Sequence, residues 1–240
     1  MHTLILLPGL ACDAGLWEAQ LPVLAPHARV QVSDVHFRFD TLPEMADALL
    51  AEHPGPLVLA GASMGGMVAM HAALRAPQRI AGLALLGTSA RADTPELIRL
   101  RTEACALFAA GRMDEVLRAN VMFAFHPDNA ADAGLVGAYL ALVRRAGSEA
   151  LIRQNRAVMA RPDLRPQLPG LRCRTLVAVG EADALTPPEC AQEIAAAVRG
   201  AEFVTVPGAG HMLTLEQPRA VAHLLQDWLL ELPASTSPMR

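Results

Sequence analysis

The sequence contains no lysine, and all 20 of its basic residues are arginine. A chain without lysine cannot form a Schiff base through a side-chain amine, build a Ser-Lys dyad or complete a phosphate-binding Walker loop. The 24 acidic residues leave a formal net charge of only −4, and the arginines are scattered along the chain rather than gathered on one face. The sequence therefore predicts no nucleic-acid partner.

Paired cysteines, metal-ligand clusters and long apolar runs are also missing. The four cysteines are widely separated and show neither C-x-x-C nor zinc-ligand spacing, which favours free thiols in a reducing cytoplasm. No apolar stretch approaches 18 residues, and the apolar residues 3–7 lack a basic n-region, so we expect neither a membrane span nor a signal peptide. Because histidines and carboxylates nowhere show paired ligand spacing, we predict no metal and no cofactor.

What the sequence does contain is a G-x-S-x-G pentapeptide at residues 61–65, with Ser63 at its centre. The apolar run 56–60 precedes it and the helix-like run 67–74 follows it, so Ser63 is predicted on a strand-to-helix turn. This context is typical of a nucleophile elbow, a tight turn that admits only small residues around the serine and presents its hydroxyl over the end of a sheet. Amides at the start of the following helix would point toward negative charge forming there.

A serine hydroxyl needs a base and a group that orients the base. Residues 175–180 predict a buried strand, and Asp183 lies in the loop beyond its end. Residues 202–206 predict another strand, which precedes His211 on a Gly-rich loop. Glu181 is an alternative orienting acid, but Asp183 is preferred because it lies further into a loop bounded by proline. The chain order Ser, Asp, His is that of the α/β-hydrolase triad and differs from the chymotrypsin and subtilisin orders.

Two backbone amides are predicted to stabilise the oxyanion that forms when the serine attacks. The first predicted strand, residues 3–7, ends in Pro8-Gly9, where the chain can turn sharply. We assign the Leu10 amide as one donor and the Met64 amide, directly after the nucleophile, as the other.

Taken together, these segments resemble the α/β-hydrolase superfamily, in particular the small bacterial esterases and lactonases with a single helical cap. The resemblance spans residue 3 to about residue 230 and is carried by Leu6–Leu10, Gly61–Gly66, Gly180–Pro188 and Gly208–Met212. One departure matters for the pocket. Where relatives often show a Gly-rich, Ser-containing stretch after the second strand, this chain has residues 35–40, so one pocket wall is left undefined.

The alternation of strands and helices indicates a mostly parallel sheet with helices on both faces, and the resemblance implies that this is an α/β-hydrolase fold. Residues 1–88 and 166–232 are assigned to the core. Residues 89–165, which contain helical patterns and no comparable strand, are assigned to a helical cap inserted above Ser63. Residues 233–240 lack apolar periodicity and are predicted to form a disordered tail. The remaining predicted strands are 28–33 and 80–86.

Two polar residues near the triad are given structural roles at this point. Thr186 precedes two prolines and is predicted to cap the helix that follows the Asp183 loop. Glu216 lies near the start of the last helix and is predicted to interact favourably with its dipole rather than to act as an acid catalyst.

Pocket residues are assigned from their position in the chain. Leu185 and Met212 lie close in sequence to the acid and the base, so we expect them to line the pocket together with the two oxyanion residues. Met122 and Phe123 belong to the most apolar part of the cap and are candidates for substrate contact, although packing of cap on core would explain them as well.

The resemblance implies a cofactor-free serine hydrolase that cleaves a small carboxylic ester, thioester or lactone through an acyl-enzyme on Ser63. Two alternatives stay open. A relative that synthesises a menaquinone precursor uses the same triad for an elimination, which would make this protein a lyase. Other proteins of this fold are ligand receptors without catalysis. The sequence does not indicate the oligomeric state.

Overall fold

A single parallel sheet forms the centre of the computed structural model, which describes residues 1–233. Its six strands are hydrogen-bonded in the order β2-β1-β3-β4-β5-β6, and every neighbouring pair is parallel. The strands are β1 (His2–Leu7), β2 (Ala28–Val32), β3 (Leu57–Ala62), β4 (Ile80–Leu86), β5 (Arg174–Gly180) and β6 (Glu202–Val206). Each agrees with its predicted strand to within two residues. The tail predicted at 233–240 lies, apart from residue 233, outside the described residues.

Helices cover both faces of the sheet, because successive strand residues point to opposite sides. Leu4 and Leu6 of β1 join one buried apolar cluster, and Ile5 and Leu7 join the other. The helices that cover the sheet are α1 (Leu21–Leu24), α2 (Leu42–Glu52), α3 (Met64–Arg75), α7 (Pro188–Ala197), α8 (Leu213–Glu216) and α9 (Pro218–Leu230). Residues of α1 and α9 belong to the first cluster, and residues of α2, α3 and α7 belong to the second.

The sequence Thr41-Leu42-Pro43-Glu44 predicts a capping box at the start of α2, which is confirmed, whereas a helix predicted from the sequence over residues 16–24 is wrong. Thr41 and Glu44 form a reciprocal capping box at the start of α2. Residues 16–24, expected to form one helix, instead form a 3-10 turn at Ala14–Trp17 and the single turn α1. Pro22 lacks the amide hydrogen that a continuous helix would need at that position.

The segment predicted as the cap, residues 89–165, contains three helices and no strand. These helices are α4 (Pro95–Ala109), α5 (Met113–Ala124) and α6 (Ala133–Met159), and α6 is interrupted at Gly147, where φ is +78°. Most of their buried apolar residues join the same cluster as α1 and α9, whereas Ala157 and Val158 near the end of α6 join the cluster of α2, α3 and α7. The division into separate core and cap domains stays a prediction. Among residues 1–233, none of the helices has the length and hydropathy that crossing a bilayer requires.

Candidate active site

Ser63 lies on the tight turn between β3 and α3, as the pentapeptide predicted. Its backbone has φ +52° and ψ −119°, a conformation that non-glycine residues rarely adopt and that often marks a functional site. The turn is held by close packing, since a Cβ atom at Gly61 would collide with the backbone of Gly65, and one at Gly65 would collide with the Leu7 carbonyl. Both positions therefore require glycine.

The structure brings Ser63, His211 and Asp183 together at the carboxyl-terminal edge of the sheet. Ser63 Oγ is 2.9 Å from His211 Nε2. His211 Nδ1 lies 2.9 Å from Asp183 Oδ2 and 3.1 Å from Oδ1, and the Asp183 side chain is fully buried. A proton on Nδ1 bonds to the carboxylate, which leaves Nε2 free to accept the serine proton.

The Asp183 carboxylate is surrounded by hydrogen-bond donors. Oδ1 accepts from the Leu185 amide at 2.9 Å and from the Thr186 amide at 2.8 Å, and Oδ2 accepts from the Thr186 hydroxyl at 2.9 Å. Burial raises the pKa of Asp183, but the charge of His211 and the hydrogen bonds from His211 and Thr186 outweigh it, so the pKa lies below its usual value. Asp183 is therefore held in its ionised form.

The prediction that Thr186 caps α7 is wrong. The residue before α7 is Pro187, which makes no side-chain cap. The Thr186 hydroxyl faces the triad instead, where it also lies 3.2 Å from His211 Nδ1. Asp183 lies three residues before Thr186, and its ionised carboxylate is the stronger acceptor for that hydroxyl. The sequence did contain a signal for this contact, because Thr186 follows Asp183 by three residues within one loop.

Glu181, the alternative acid, makes no hydrogen bond to His211 among residues 1–233. Its Oε1 accepts from the Gly208 amide at 2.6 Å and lies 3.6 Å from His126 Nε2. The geometry thus favours Asp183 as the partner of His211.

The dipole role predicted for Glu216 is also wrong. Glu216 is buried, and its Oε1 accepts from the amide of Gly210, the residue before His211, at 2.8 Å. Its Oε2 accepts from the His126 amide at 2.7 Å and from Asn129 Nδ2 at 2.8 Å. The Glu216 carboxylate therefore links the loop that contains His211 to the segment that follows α5. Buried donors attract a carboxylate more strongly than a partly screened helix end does.

The loop after β1 contains Leu10, one of the two predicted oxyanion residues, and Ala11, whose backbone conformation is unusual like that of Ser63. Leu10 and Met64 line the same cavity as Ser63, and within residues 1–233 neither amide donates a hydrogen bond. Ala11 has φ +55°, and its amide donates to Gln154 Oε1 at 2.6 Å. Gln154 is fully buried in α6 and donates through Nε2 to the His36 carbonyl at 2.9 Å.

Gln154 therefore links the loop after β1 to a helix of the predicted cap. Gln154 and Ala11 are 143 positions apart in the sequence, so no local pattern could have indicated this contact.

A cavity of about 760 Å³ opens beside Ser63 and His211. Met212 lines it and is buried, whereas Leu185 and Phe123 line it while 40% and 54% exposed, which puts them at its rim. Met122 is 79% exposed and does not line the cavity, so its predicted substrate contact is wrong. Adjacent residues of a helix point about 100° apart, and on α5 this turns Met122 toward solvent while Phe123 reaches the rim of the cavity. In the described part of the chain, no group of three or more His, Cys, Asp or Glu residues could hold a metal.

Known proteins resemble this chain over nearly its whole length. The chain is similar to the pimeloyl-[acyl-carrier protein] methyl ester esterase of Aromatoleum aromaticum, with 30% identity over 93% of this chain and 96% of that protein. It is similar in structure to a thermophilic esterase from Thermogutta terrifontis, with TM-score 0.87, 29% identity and coverage of 96% and 90% of the two chains. For the enol-lactonase from Burkholderia xenovorans LB400 the TM-score is 0.87, the identity 25% and the coverage 96% and 92%.

The model of the alpha/beta hydrolase family matches residues 4–224, a range that includes all three residues of the triad. The chain therefore belongs to the alpha/beta hydrolase family.

Proposed function

We propose that this protein is a serine hydrolase that cleaves a small carboxylic ester, thioester or lactone through an acyl-enzyme on Ser63. The observation that carries the proposal is the continuous hydrogen-bonded chain from Ser63 through His211 to Asp183, with bonds of 2.9 Å at both steps, beside a cavity large enough for a small substrate.

In the proposed reaction, Ser63 Oγ attacks the acyl carbon while His211 Nε2 takes the hydroxyl proton. Asp183 keeps the proton of His211 on Nδ1 and stabilises the positive charge that forms on the ring. The proton then passes to the leaving alcohol or thiol, and the acyl-enzyme remains. Water attacks this ester with the same histidine as base, which releases the acid and regenerates the serine.

The amides of Leu10 and Met64 are proposed to bind the oxyanion in both steps. Their lack of other hydrogen-bond partners within residues 1–233 supports this assignment. The strained backbone of Ser63 supports it as well, because Met64 begins α3 and its amide comes directly after the nucleophile.

The relatives support a hydrolase over the two alternatives. Those named above are a methyl ester esterase, an esterase and an enol-lactonase. A receptor would need only a cavity, whereas this chain retains every hydrogen bond of the triad. A cytoplasmic location is also part of the proposal, supported by four cysteines that are all unpaired.

The test is a panel of p-nitrophenyl esters and lactones measured with the wild type and with Ser63→Ala. We expect hydrolysis by the wild type and a loss of at least about 10³-fold in Ser63→Ala. Ser89→Ala is the matched control, because Ser89 lines the same cavity but makes no hydrogen bond to a histidine among the described residues. Equal activity in Ser63→Ala and Ser89→Ala would contradict the proposal, and elimination without hydrolysis would favour the lyase.

A further inference from the structure

One wall of the catalytic cavity contains two arginines that share a single carboxylate. Arg101 comes from α4 and Arg161 lies just after α6, and both line the cavity that contains Ser63. We call them the arginine pair. Asp93, from the loop after β4, lies between them with a fully buried side chain.

The contacts of the arginine pair fix both guanidinium groups. Arg101 Nε donates to Asp93 Oδ2 at 2.8 Å, and its Nη1 donates to Asn155 Oδ1 at 2.8 Å. Arg161 Nη1 lies 2.8 Å from Asp93 Oδ1, and its Nε donates to the Arg91 carbonyl at 2.8 Å. In the part of the chain that the structure describes, Nη2 of each arginine has no hydrogen-bond acceptor, so donors remain available.

The charge of this wall is not balanced. Two guanidinium groups face one carboxylate, which leaves an excess of one positive charge. Arg91 also lines the cavity, but Glu193 neutralises it through two hydrogen bonds of 2.8 and 2.7 Å. The triad carboxylate does not supply the missing charge, because Asp183 is covered by His211 and Thr186 and does not line the cavity.

Burial makes this excess of positive charge unfavourable. Removal from water lowers the pKa of the Arg161 guanidinium below its usual value, although the charge of Asp93 acts in the opposite direction. A monoanionic group in the cavity would balance the charge and accept the unused Nη2 hydrogens. Arginine suits a carboxylate in particular, because its planar nitrogens match the two carboxylate oxygens.

We propose that the substrate carries a carboxylate, which the arginine pair binds while the ester or lactone carbonyl lies at Ser63. The substrate class is then a half-ester of a dicarboxylic acid or a lactone with a free carboxylate. A monoanion fits the single excess charge better than a phosphate dianion does. This inference rests on the proposed function and narrows its substrate.

The test compares matched ester pairs. Monomethyl esters of dicarboxylic acids with four to eight carbons are paired with methyl esters of monocarboxylic acids of the same length, and kcat/KM is measured from release of methanol. In the wild type, the ratio of the two kcat/KM values should favour the half-ester by about 10- to 100-fold at the best length, as expected for charge-assisted hydrogen bonds. High salt should reduce the ratio.

Three variants separate recognition from support of the fold. Arg101→Met should bring the ratio close to one, and Arg101→Lys should keep part of it, because the charge remains while the fork of donors is lost. Arg99→Met is the matched control, since Arg99 lies on the same helix with its side chain 65% exposed, and its ratio should equal that of the wild type. A merely structural role for Arg101 would lower kcat/KM for both esters equally and leave the ratio unchanged.

The wild type alone is enough to overturn the inference, even if a variant fails to fold. Hydrolysis of neutral esters with no preference for half-esters at any length would refute the carboxylate proposal and leave the proposed function intact. Absence of hydrolysis for every ester and lactone would refute both.

Discussion

Removing the carboxylate of Glu216 should both destabilise the fold and displace His211, the proposed catalytic base. Glu216→Ala leaves three donors without their acceptor, the amides of Gly210 and His126 and the side chain of Asn129. Hydrogen bonds to a charged group contribute about 1.5–3 kcal/mol each, but water entering the vacated space offsets part of the sum. We expect the free energy of unfolding to fall by about 3–5 kcal/mol, which is less than the sum for three such hydrogen bonds.

Urea unfolding followed by circular dichroism measures this change. With a denaturant slope of about 3 kcal/mol/M, the midpoint should fall by about 1–1.7 M. Glu216→Gln, which retains one acceptor oxygen, should fall less far but should still lower kcat at least about tenfold, because a 1 Å displacement of a catalytic group can cost about 10² in rate. Glu189→Gln, at an exposed carboxylate on the first turn of α7, is the control. If Glu216→Ala matched this control in both urea midpoint and kcat, the inferred link between Glu216 and His211 would be refuted.

Three further predictions concern the site. Asp183→Asn should lower kcat by about 10⁴-fold while the protein stays folded, because the His211 proton is no longer held on Nδ1. Glu181→Gln is the control. A greater loss of kcat in Glu181→Gln than in Asp183→Asn would make Glu181 the orienting acid. Gln154→Ala should lower kcat more than it raises KM, because it releases the loop that contains Leu10, whose amide is proposed to bind the oxyanion. Equal effects on kcat and KM would argue against this role of the loop. Unfolding measured by circular dichroism at decreasing pH should show the contribution of Asp183 to stability, which its lowered pKa keeps fully present above about pH 3.9 and which is lost as the pH falls through the lower, folded value.

Features that depend on neighbouring residues were predictable from the sequence. The elbow follows from the two glycines that flank Ser63, because their Cβ atoms would collide with nearby backbone. The strand before Asp183 is a short apolar run of the kind that a buried parallel sheet requires, and the strand before His211, at the edge of the sheet, is rich in β-branched and aromatic residues. Since parallel strands end at one edge, the loops after β3, β5 and β6 had to converge.

Features that depend on distant contacts were not predictable in this way. Gln154 reaches Ala11 from another part of the chain, and no periodicity records that contact. Thr186 and Glu216 satisfy local rules for helix ends, but in the folded protein they bond to the triad aspartate and to the His211 loop. Met122 was predicted to contact substrate because it lies in an apolar segment. Which face of α5 a residue occupies depends on how the helix is rotated about its axis, and apolar composition alone does not determine that rotation.

The most direct test of the central claim is labelling with a fluorophosphonate, which forms a covalent bond with a serine that an adjacent base activates. Intact-mass and peptide mass spectrometry should detect one adduct per chain, located at Ser63, and no adduct in Ser63→Ala or in folded His211→Ala. An adduct at Ser33, Ser89 or Ser148, or undiminished labelling in His211→Ala, would contradict the assignment of Ser63 and His211 as nucleophile and base.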